Sequence, residues 1–202
     1  MRKKSGCASW VLALALVLGV TLGLDFVGKR VDMWRFPWAY AESGQPTLTG
    51  TWVGQATTGS GKRVGLFLDI QMAPLDYHRR RGTAFRTQRN SWLIGRALAC
   101  PRPGVVQRFT MWGTPDDKAT GARFHLALSE ADSTSVPDGL APSHIRGQWD
   151  RANSLALEVS LHLRRGRSAI TNSADPDTGR DTPMTLTRGA EAEFDASCRN
   201  QR

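Results

Sequence analysis

Hydrophobic and polar residues alternate along most of the chain after Thr47. A period of two residues is typical of a half-buried β-strand, whereas an amphipathic helix repeats every 3.6 residues. The clearest runs are Val64, Leu66, Leu68 and Ile70, and then Leu155, Leu157, Val159, Leu161 and Leu163. An alternating run before Thr57 and another after Arg63 predict a β-hairpin, because the Thr/Gly/Ser cluster between them suits a tight turn.

The connecting stretch, TTGSGKR at 57–63, superficially resembles a phosphate-binding loop. Such a loop requires glycine, four residues, and then Gly-Lys-Ser/Thr between a strand and a helix. Here Arg63 follows Gly61-Lys62, so the magnesium-binding hydroxyl is missing, and Ala56 replaces the first glycine. The sequence therefore predicts a turn and no nucleotide site.

Further segments have the length and composition of strands. They are 82–88, 91–99, 105–112, 122–128, 145–149, 155–163 and 184–188, with 192–196 closing the domain. No helical period long enough for a crossover helix follows Pro46. The predicted fold is all-β: an antiparallel up-and-down barrel or sandwich of about eight to nine strands, preceded by an N-terminal transmembrane or signal helix.

The N-terminus predicts a membrane anchor. Residues 1–7 form a basic leader, and the run Trp10–Leu24 is apolar and uncharged. We expect a signal anchor at 8–24 with its N-terminus inside, a juxtamembrane aromatic-basic segment and linker at 25–46, and an exported β domain at 47–202. Secretion after cleavage following Ala41 is the alternative.

Aromatic and basic side chains are crowded together after the apolar run. This mixture favours the lipid headgroup layer or a partner's membrane-proximal surface, although aromatic packing on the folded domain explains it equally simply. The candidate interface residues are Phe26, Lys29, Arg30, Trp34, Arg35, Phe36, Trp38 and Tyr40.

The overall charge invites a nucleic-acid interpretation, which the charge distribution weakens. The 202 residues carry a formal net charge of +9, with a pI near 10.3. Six of the 27 basic residues flank the apolar run, and 21 basic against 16 acidic residues are spread thinly beyond Tyr40. We therefore predict a membrane and protein partners, and no nucleic acid.

Cysteines and histidines indicate structure and not catalysis. Cys100 and Cys198 are predicted to form a disulfide on the exported side. The four histidines show no metal-ligand spacing and no Gly-x-Ser-x-Gly motif occurs, so no metal, cofactor or enzymatic activity is predicted. A hydrolase would need a carboxylate, a histidine and a serine to converge in space.

Tryptophans supply the candidate ligand site. We expect Trp52, Trp92, Trp112 and Trp149 to line a cavity for a small ligand. Aromatic side chains in a β domain also serve simply as core packing, which is the alternative.

The segment Leu48–Trp52 (LTGTW) followed by a hairpin resembles the first strands of avidin and, more loosely, the Gly-x-Trp start of lipocalins. Residues 82–85 and 185–194 are similar to later avidin strands. This resemblance to the calycin barrels implies an up-and-down barrel with a ligand cup at one mouth. Thr58 matches the avidin turn serine, so the resemblance implies that Thr58 is a further candidate ligand contact. Glu191 matches the late acidic contact. Val53, Gly54 and Ala84 or Phe85 replace the expected Tyr, Asn and Tyr, so the resemblance implies the architecture and not biotin binding.

Two functions follow from these patterns. The first is a membrane-anchored, non-catalytic accessory or interaction subunit of a membrane complex. The alternative is a carrier or sensor that binds a small apolar or amphipathic ligand in a barrel cavity. Large side chains at all lumen-facing positions would argue against the carrier, whereas small and polar ones would favour it.

Overall fold

A computed structural model gives the fold. It describes residues 14, 17, 19, 23, 26–28, 30–40, 45–73, 92–131, 139–165, 168–170, 177, 179 and 181–200. The strands are β1 Gly50–Thr57, β2 Arg63–Met72, β3 Leu93–Arg102, β4 Val105–Pro115, β5 Arg123–Glu130, β6 Gly139–Trp149, β7 Ser154–Arg165, β8 Ser168–Ile170 and β9 Asp181–Arg188.

Eight of these strands form a closed antiparallel barrel. The order around the sheet is β6-β5-β4-β3-β2-β1-β9-β7, and an additional β6–β7 pairing closes it. The short β8 pairs with the end of β7, beyond the part of β7 that pairs with β9. The prediction of an all-β, antiparallel barrel is therefore confirmed, and closure leaves the eight strands without a free edge.

The predicted hairpin at residues 57–63 is also confirmed. Thr57 pairs with Arg63, and the register runs through Trp52 opposite Leu68. Within the turn, the Thr58 amide donates to the Lys62 carbonyl at 2.8 Å. The alternating residues Leu66, Leu68 and Ile70 are buried in the main core, which lies inside the barrel.

The C-terminal segment departs from its strand prediction. Residues Glu191–Arg199 form a helix that packs on the outer wall of the barrel. Phe194 and Cys198 lie one turn apart and are buried against Phe67 in a second, smaller core. With only two buried positions in nine residues, the helical period is too short to be recognised in the sequence.

Strand β6 begins earlier than expected. The sequence predicted a strand only from residue 145, yet β6 starts at Gly139. The register shifts between Pro142 and His144, where the strand contains a bulge. A proline at a bulge interrupts the alternation on which the prediction depended. The predicted strand at 82–88 lies outside the described residues.

Before the barrel, the described positions between 14 and 35 are helical. No helix in the described part of the chain is long and apolar enough to cross a membrane. Most of the predicted anchor at 8–24 falls outside the described residues. The helix leads into a 3₁₀ turn, Pro37–Ala39, at the barrel.

Candidate functional site

The segment before β1 closes one end of the barrel, at which β1 begins and β9 ends. We call this segment the plug and this end the plugged end. Phe36 and Trp38 are buried there. The Trp38 indole Nε1 donates to the Lys118 carbonyl at 2.7 Å, and the Phe36 ring lies 5.1 Å from the Trp92 ring. The Leu48 amide donates to the Trp38 carbonyl at 2.8 Å, which ties the plug to the start of β1.

This plug separates the predicted interface residues into two groups. The structure places Phe36 and Trp38 in the core and packs Tyr40 against it, instead of exposing them. The exposed members are Phe26, Arg30, Trp34 and Arg35, all on the N-terminal helix; the Lys29 side chain lies outside the described set. Aromatic content alone could not distinguish the buried group from the exposed group, because both lie within the same short aromatic and basic segment.

Arg188, which the sequence pattern did not identify as a site residue, stabilises the plugged end. The Arg188 guanidinium carbon lies 3.8 Å from the centre of the Trp52 ring. Arg188 donates to the Thr49 carbonyl at 2.8 Å and also to the Thr47 carbonyl. Burial lowers the pKa of the Arg188 guanidinium. The alternation along β9 could have identified Arg188 from the sequence, because Arg188 lies on the same lumen-facing side of the strand as Met184 and Leu186.

Gly50 is required for this arrangement. Its φ is 117°, and a Cβ atom there would lie 2.4 Å from Arg188 Nη1. Gly50 and Gly147 each stand two residues before a tryptophan. In the structure the room at Gly50 is taken by Arg188, and the room at Gly147 by the Phe124 ring.

Around the plugged end and the middle of the barrel, large side chains fill the lumen. The indole Nε1 of Trp52 donates to the Leu48 carbonyl at 2.9 Å, and that of Trp149 to the Ala152 carbonyl at 3.3 Å. Both indoles are buried in the main core with Phe109 and Phe124. Trp52 and Trp149 are therefore packing residues.

The opposite end, where the β1–β2 hairpin turns, is lined differently; we call it the hairpin end. Ala99 pairs with Gln107 across β3 and β4, and Ala97 with Phe109. Gln107 is 1% exposed and Thr182 is 6% exposed. Since antiparallel partners share a face, Gln107 points into the lumen beside Ala99. Small and polar side chains thus lie on the lumen face at this end, among the buried leucines Leu66, Leu140 and Leu161.

At the rim of the hairpin end, the β1–β2 turn binds a carboxylate of its own chain. Asp177 is 2% exposed. It accepts hydrogen bonds from the Thr58 hydroxyl at 3.0 Å, from the Ser60 amide at 2.9 Å and from the Ser60 hydroxyl. Lys62 Nζ lies 3.6 Å from the same carboxylate. The glycine-serine turn that resembled a phosphate loop thus holds an aspartate.

The charge of Asp177 is stabilised by these contacts. Burial favours the neutral acid and on its own would raise its pKa. The hydrogen bonds from Ser60 and Thr58 and the positive charge of Lys62 outweigh burial, so the pKa of Asp177 lies below its ordinary value. Thr58, predicted to touch a ligand, is occupied by this intramolecular contact.

A third feature is a groove of about 460 Å³ on the outer wall of β4–β7. Trp112 and His144 line it, so Trp112 lies on the outside of the barrel. Trp92, beside the plug, has the Lys118 ammonium 4.5 Å from its ring centre. The four predicted tryptophans therefore do not converge on one cavity.

Beside this groove, His125 Nε2 lies 2.8 Å from Asp116 Oδ1. This is the histidine–carboxylate contact that a hydrolase would use, but the serine of the groove points elsewhere. The Ser160 hydroxyl donates to Asp181 Oδ1 at 2.5 Å. That bond and the Arg146 guanidinium lower the pKa of Asp181.

The predicted disulfide joins the C-terminal helix to β3. Cys100 and Cys198 are bonded, with their Cα atoms 5.8 Å apart. Both are buried, in the small core with Phe67 and Phe194. Among the described residues, no group of three or more metal-ligating side chains lies together.

Comparison with known proteins adds little to this picture. No protein-family model matches the chain, and no curated protein matches it. A solved structure described as EF1p2_mFAP2b bound to DFHBI is similar to it. The two chains are 12% identical, with a TM-score of 0.34, and the match covers 70% of this chain and 94% of that one.

Proposed function

We propose that this chain is a non-catalytic binding protein that holds a small amphipathic ligand in its lumen, near the hairpin end. The carrying observation is a difference in lining between the two ends of the lumen. Trp38, Trp52 and Trp149 are buried toward the plugged end. Toward the hairpin end the buried Ala99, Gln107 and Thr182 line the lumen, among the leucines Leu66, Leu140 and Leu161.

The chemistry of this lining suggests the class of ligand. An eight-stranded barrel is just wide enough to be filled by side chains or to hold one small ligand. An apolar body fits beside Ala97 and Ala99, and a polar group of the ligand can exchange hydrogen bonds with Gln107 and Thr182. The calycin resemblance is part of the same proposal, supported by the closed up-and-down connectivity.

The test is to fill the proposed space. Ala99→Phe adds a large side chain to the lumen face opposite Leu66 and Gln107. If the space receives a ligand, the ligand-free variant should keep its thermal unfolding midpoint within about 2 °C of wild type. The matched control is Ala156→Phe, which adds the same side chain to the exposed outer wall.

A lumen that is already packed at Ala99 would give the opposite result. If the lumen at Ala99 is already packed, the phenylalanine must displace its neighbours, which typically costs about 1–3 kcal/mol. A fall in stability of that size in Ala99→Phe, with Ala156→Phe unchanged, would overturn the ligand proposal. Ala97→Phe provides an independent second position on the same strand.

The accessory-subunit function stays a second prediction. One observation favours it: the exposed large hydrophobic side chains of the described chain belong to the N-terminal helix, where a partner could cover them. The mass of the complex extracted in mild detergent distinguishes the two functions. Stoichiometric additional subunits would support this one.

A further inference from the structure

The N-terminal helix carries the exposed apolar surface of the described chain. The large hydrophobic side chains that are exposed are Leu14, Val17, Phe26, Val27, Val31 and Trp34. Trp34 is 84% exposed, whereas Trp38, four residues later, is 3% exposed. The change from outward-facing to buried aromatic side chains therefore takes place over a single helical turn.

The helix is joined to the barrel without an intervening linker. The Phe36 amide donates to the Asp32 carbonyl at 2.8 Å, which continues the helix to the plug. Phe36 and Trp38 then enter the plugged end directly. Since both are fixed by packing, the direction of the last helical turn is fixed relative to the barrel.

The chemistry of this helix matches a phospholipid bilayer. Its first part lies within the run Trp10–Leu24, which is uncharged and apolar. The next turns carry Arg30 over the Phe26 ring at 5.4 Å and Arg35 over the Phe36 ring at 5.8 Å. Exposed tryptophan and arginine side chains are suited to the headgroup layer, where basic residues also meet anionic lipids.

We propose that the helix fixes the chain to an anionic phospholipid bilayer with the plugged end facing the headgroups and the hairpin end facing away. The orientation follows from the short, packed junction at Phe36. It is independent of the ligand proposal, because it does not depend on the content of the lumen. In this orientation the buried Phe36 and Trp38 connect the anchoring helix rigidly to the barrel.

Energy transfer to a membrane-bound acceptor tests this orientation. The full chain, with Cys7→Ser and its disulfide intact, is reconstituted into vesicles of phosphatidylethanolamine and phosphatidylglycerol at about 3:1. A donor dye is placed either at Asn153→Cys, in the exposed β6–β7 turn of the plugged end, or at Pro103→Cys, in the exposed β3–β4 turn of the hairpin end. Headgroup-labelled lipid is the acceptor.

The expected result is markedly stronger transfer from position 153 than from position 103. Strands of ten residues, tilted as in small barrels, separate the two ends by about 25 Å. Equal transfer or stronger transfer from position 103 would overturn the orientation. Failure of the chain to float with the vesicles would overturn the membrane proposal and leave a protein partner as the occupant.

Quenching by brominated lipid supplies a second readout. The measurements use a Trp10→Phe background, because Trp10 also belongs to the apolar run. Tryptophan fluorescence of this background should be quenched in these vesicles, and adding Trp34→Phe should remove most of the quenching. Adding Trp112→Phe instead, on the outer wall of the barrel, is the matched control and should leave the quenching unchanged. Quenching that persists when Trp34→Phe is added would contradict the placement of the helix at the headgroups.

Discussion

Arg188 lies over the face of Trp52, with its guanidinium carbon 3.8 Å from the ring centre. The two residues belong to the last and first strands of the barrel, which pair through them. Arg188 also donates to the Thr47 and Thr49 carbonyls. One side chain thus joins the closing strand, the core tryptophan and the segment that follows the plug.

Removing this guanidinium should loosen the plugged end. Arg188→Met keeps most of the side-chain volume but loses the cation–π contact and the hydrogen bonds to two carbonyls. We expect a loss of about 2–3 kcal/mol in the free energy of unfolding. Chemical denaturation measures it, with Arg108→Met on the exposed outer wall as the control. A loss no larger than that of Arg108→Met would contradict this role.

The two neighbouring tryptophans should behave very differently. Trp38→Ala removes a buried indole from the plug and should cost about 3–5 kcal/mol. Trp34→Ala removes an exposed indole and should change stability by less than about 0.5 kcal/mol. Thermal unfolding of the two variants under the same conditions tests the separation. Equal losses would mean that the helix and the plug do not differ in burial.

Asp177 should make the free energy of unfolding depend on pH. Its pKa is lowered in the folded state, so it contributes stability at pH values above the ordinary aspartate pKa of about 3.9. That contribution is lost as the pH falls through the lower, folded-state pKa. Asp177→Asn should reduce stability at pH 7 by about 1–3 kcal/mol and flatten the acid limb of the pH–stability curve.

Unfolding curves between pH 7 and about pH 2 measure this contribution. Asp195→Asn, which changes an exposed carboxylate on the C-terminal helix, is the matched control. Retention of the full wild-type acid dependence in Asp177→Asn would show that other carboxylates are responsible.

The disulfide should stabilise the barrel substantially. Cys100 and Cys198 are 98 residues apart in sequence, and closing a loop of that size restricts the unfolded chain by about 4–5 kcal/mol on a chain-entropy estimate. Cys198→Ser should therefore lower the urea midpoint strongly, whereas Cys7→Ser should not. An equal midpoint for the two variants would contradict the assignment.

The sequence predicted those elements in which one face is buried along a whole strand. Strand β7 alternates without interruption, and β2 keeps Val64, Leu66, Leu68 and Ile70 on one face although Phe67 on the other face is also apolar. The turn between Thr57 and Arg63 separates two alternating runs, so the barrel class was accessible. Strand β6 was predicted too short because a bulge at Pro142 breaks the alternation. The C-terminal helix buries only Phe194 and Cys198, so it leaves no readable period.

The candidate site was less accessible because it depends on contacts between distant segments. Thr58 and Asp177 are 119 residues apart, and nothing local distinguishes Asp177 from its acidic neighbours. Trp112 and Trp52 both lie in strands of similar composition, yet one lies on the outer wall and the other in the core. Only the register of the closed sheet assigns each tryptophan to a face.

Native mass spectrometry of the full chain, purified from its own cells in mild detergent, tests the ligand-binding proposal most directly. We expect a polypeptide that carries a small excess mass, which is absent from Ala99→Phe and retained by Ala156→Phe. The bare polypeptide mass in the wild type, or an excess mass that Ala99→Phe keeps, would contradict a ligand in the lumen.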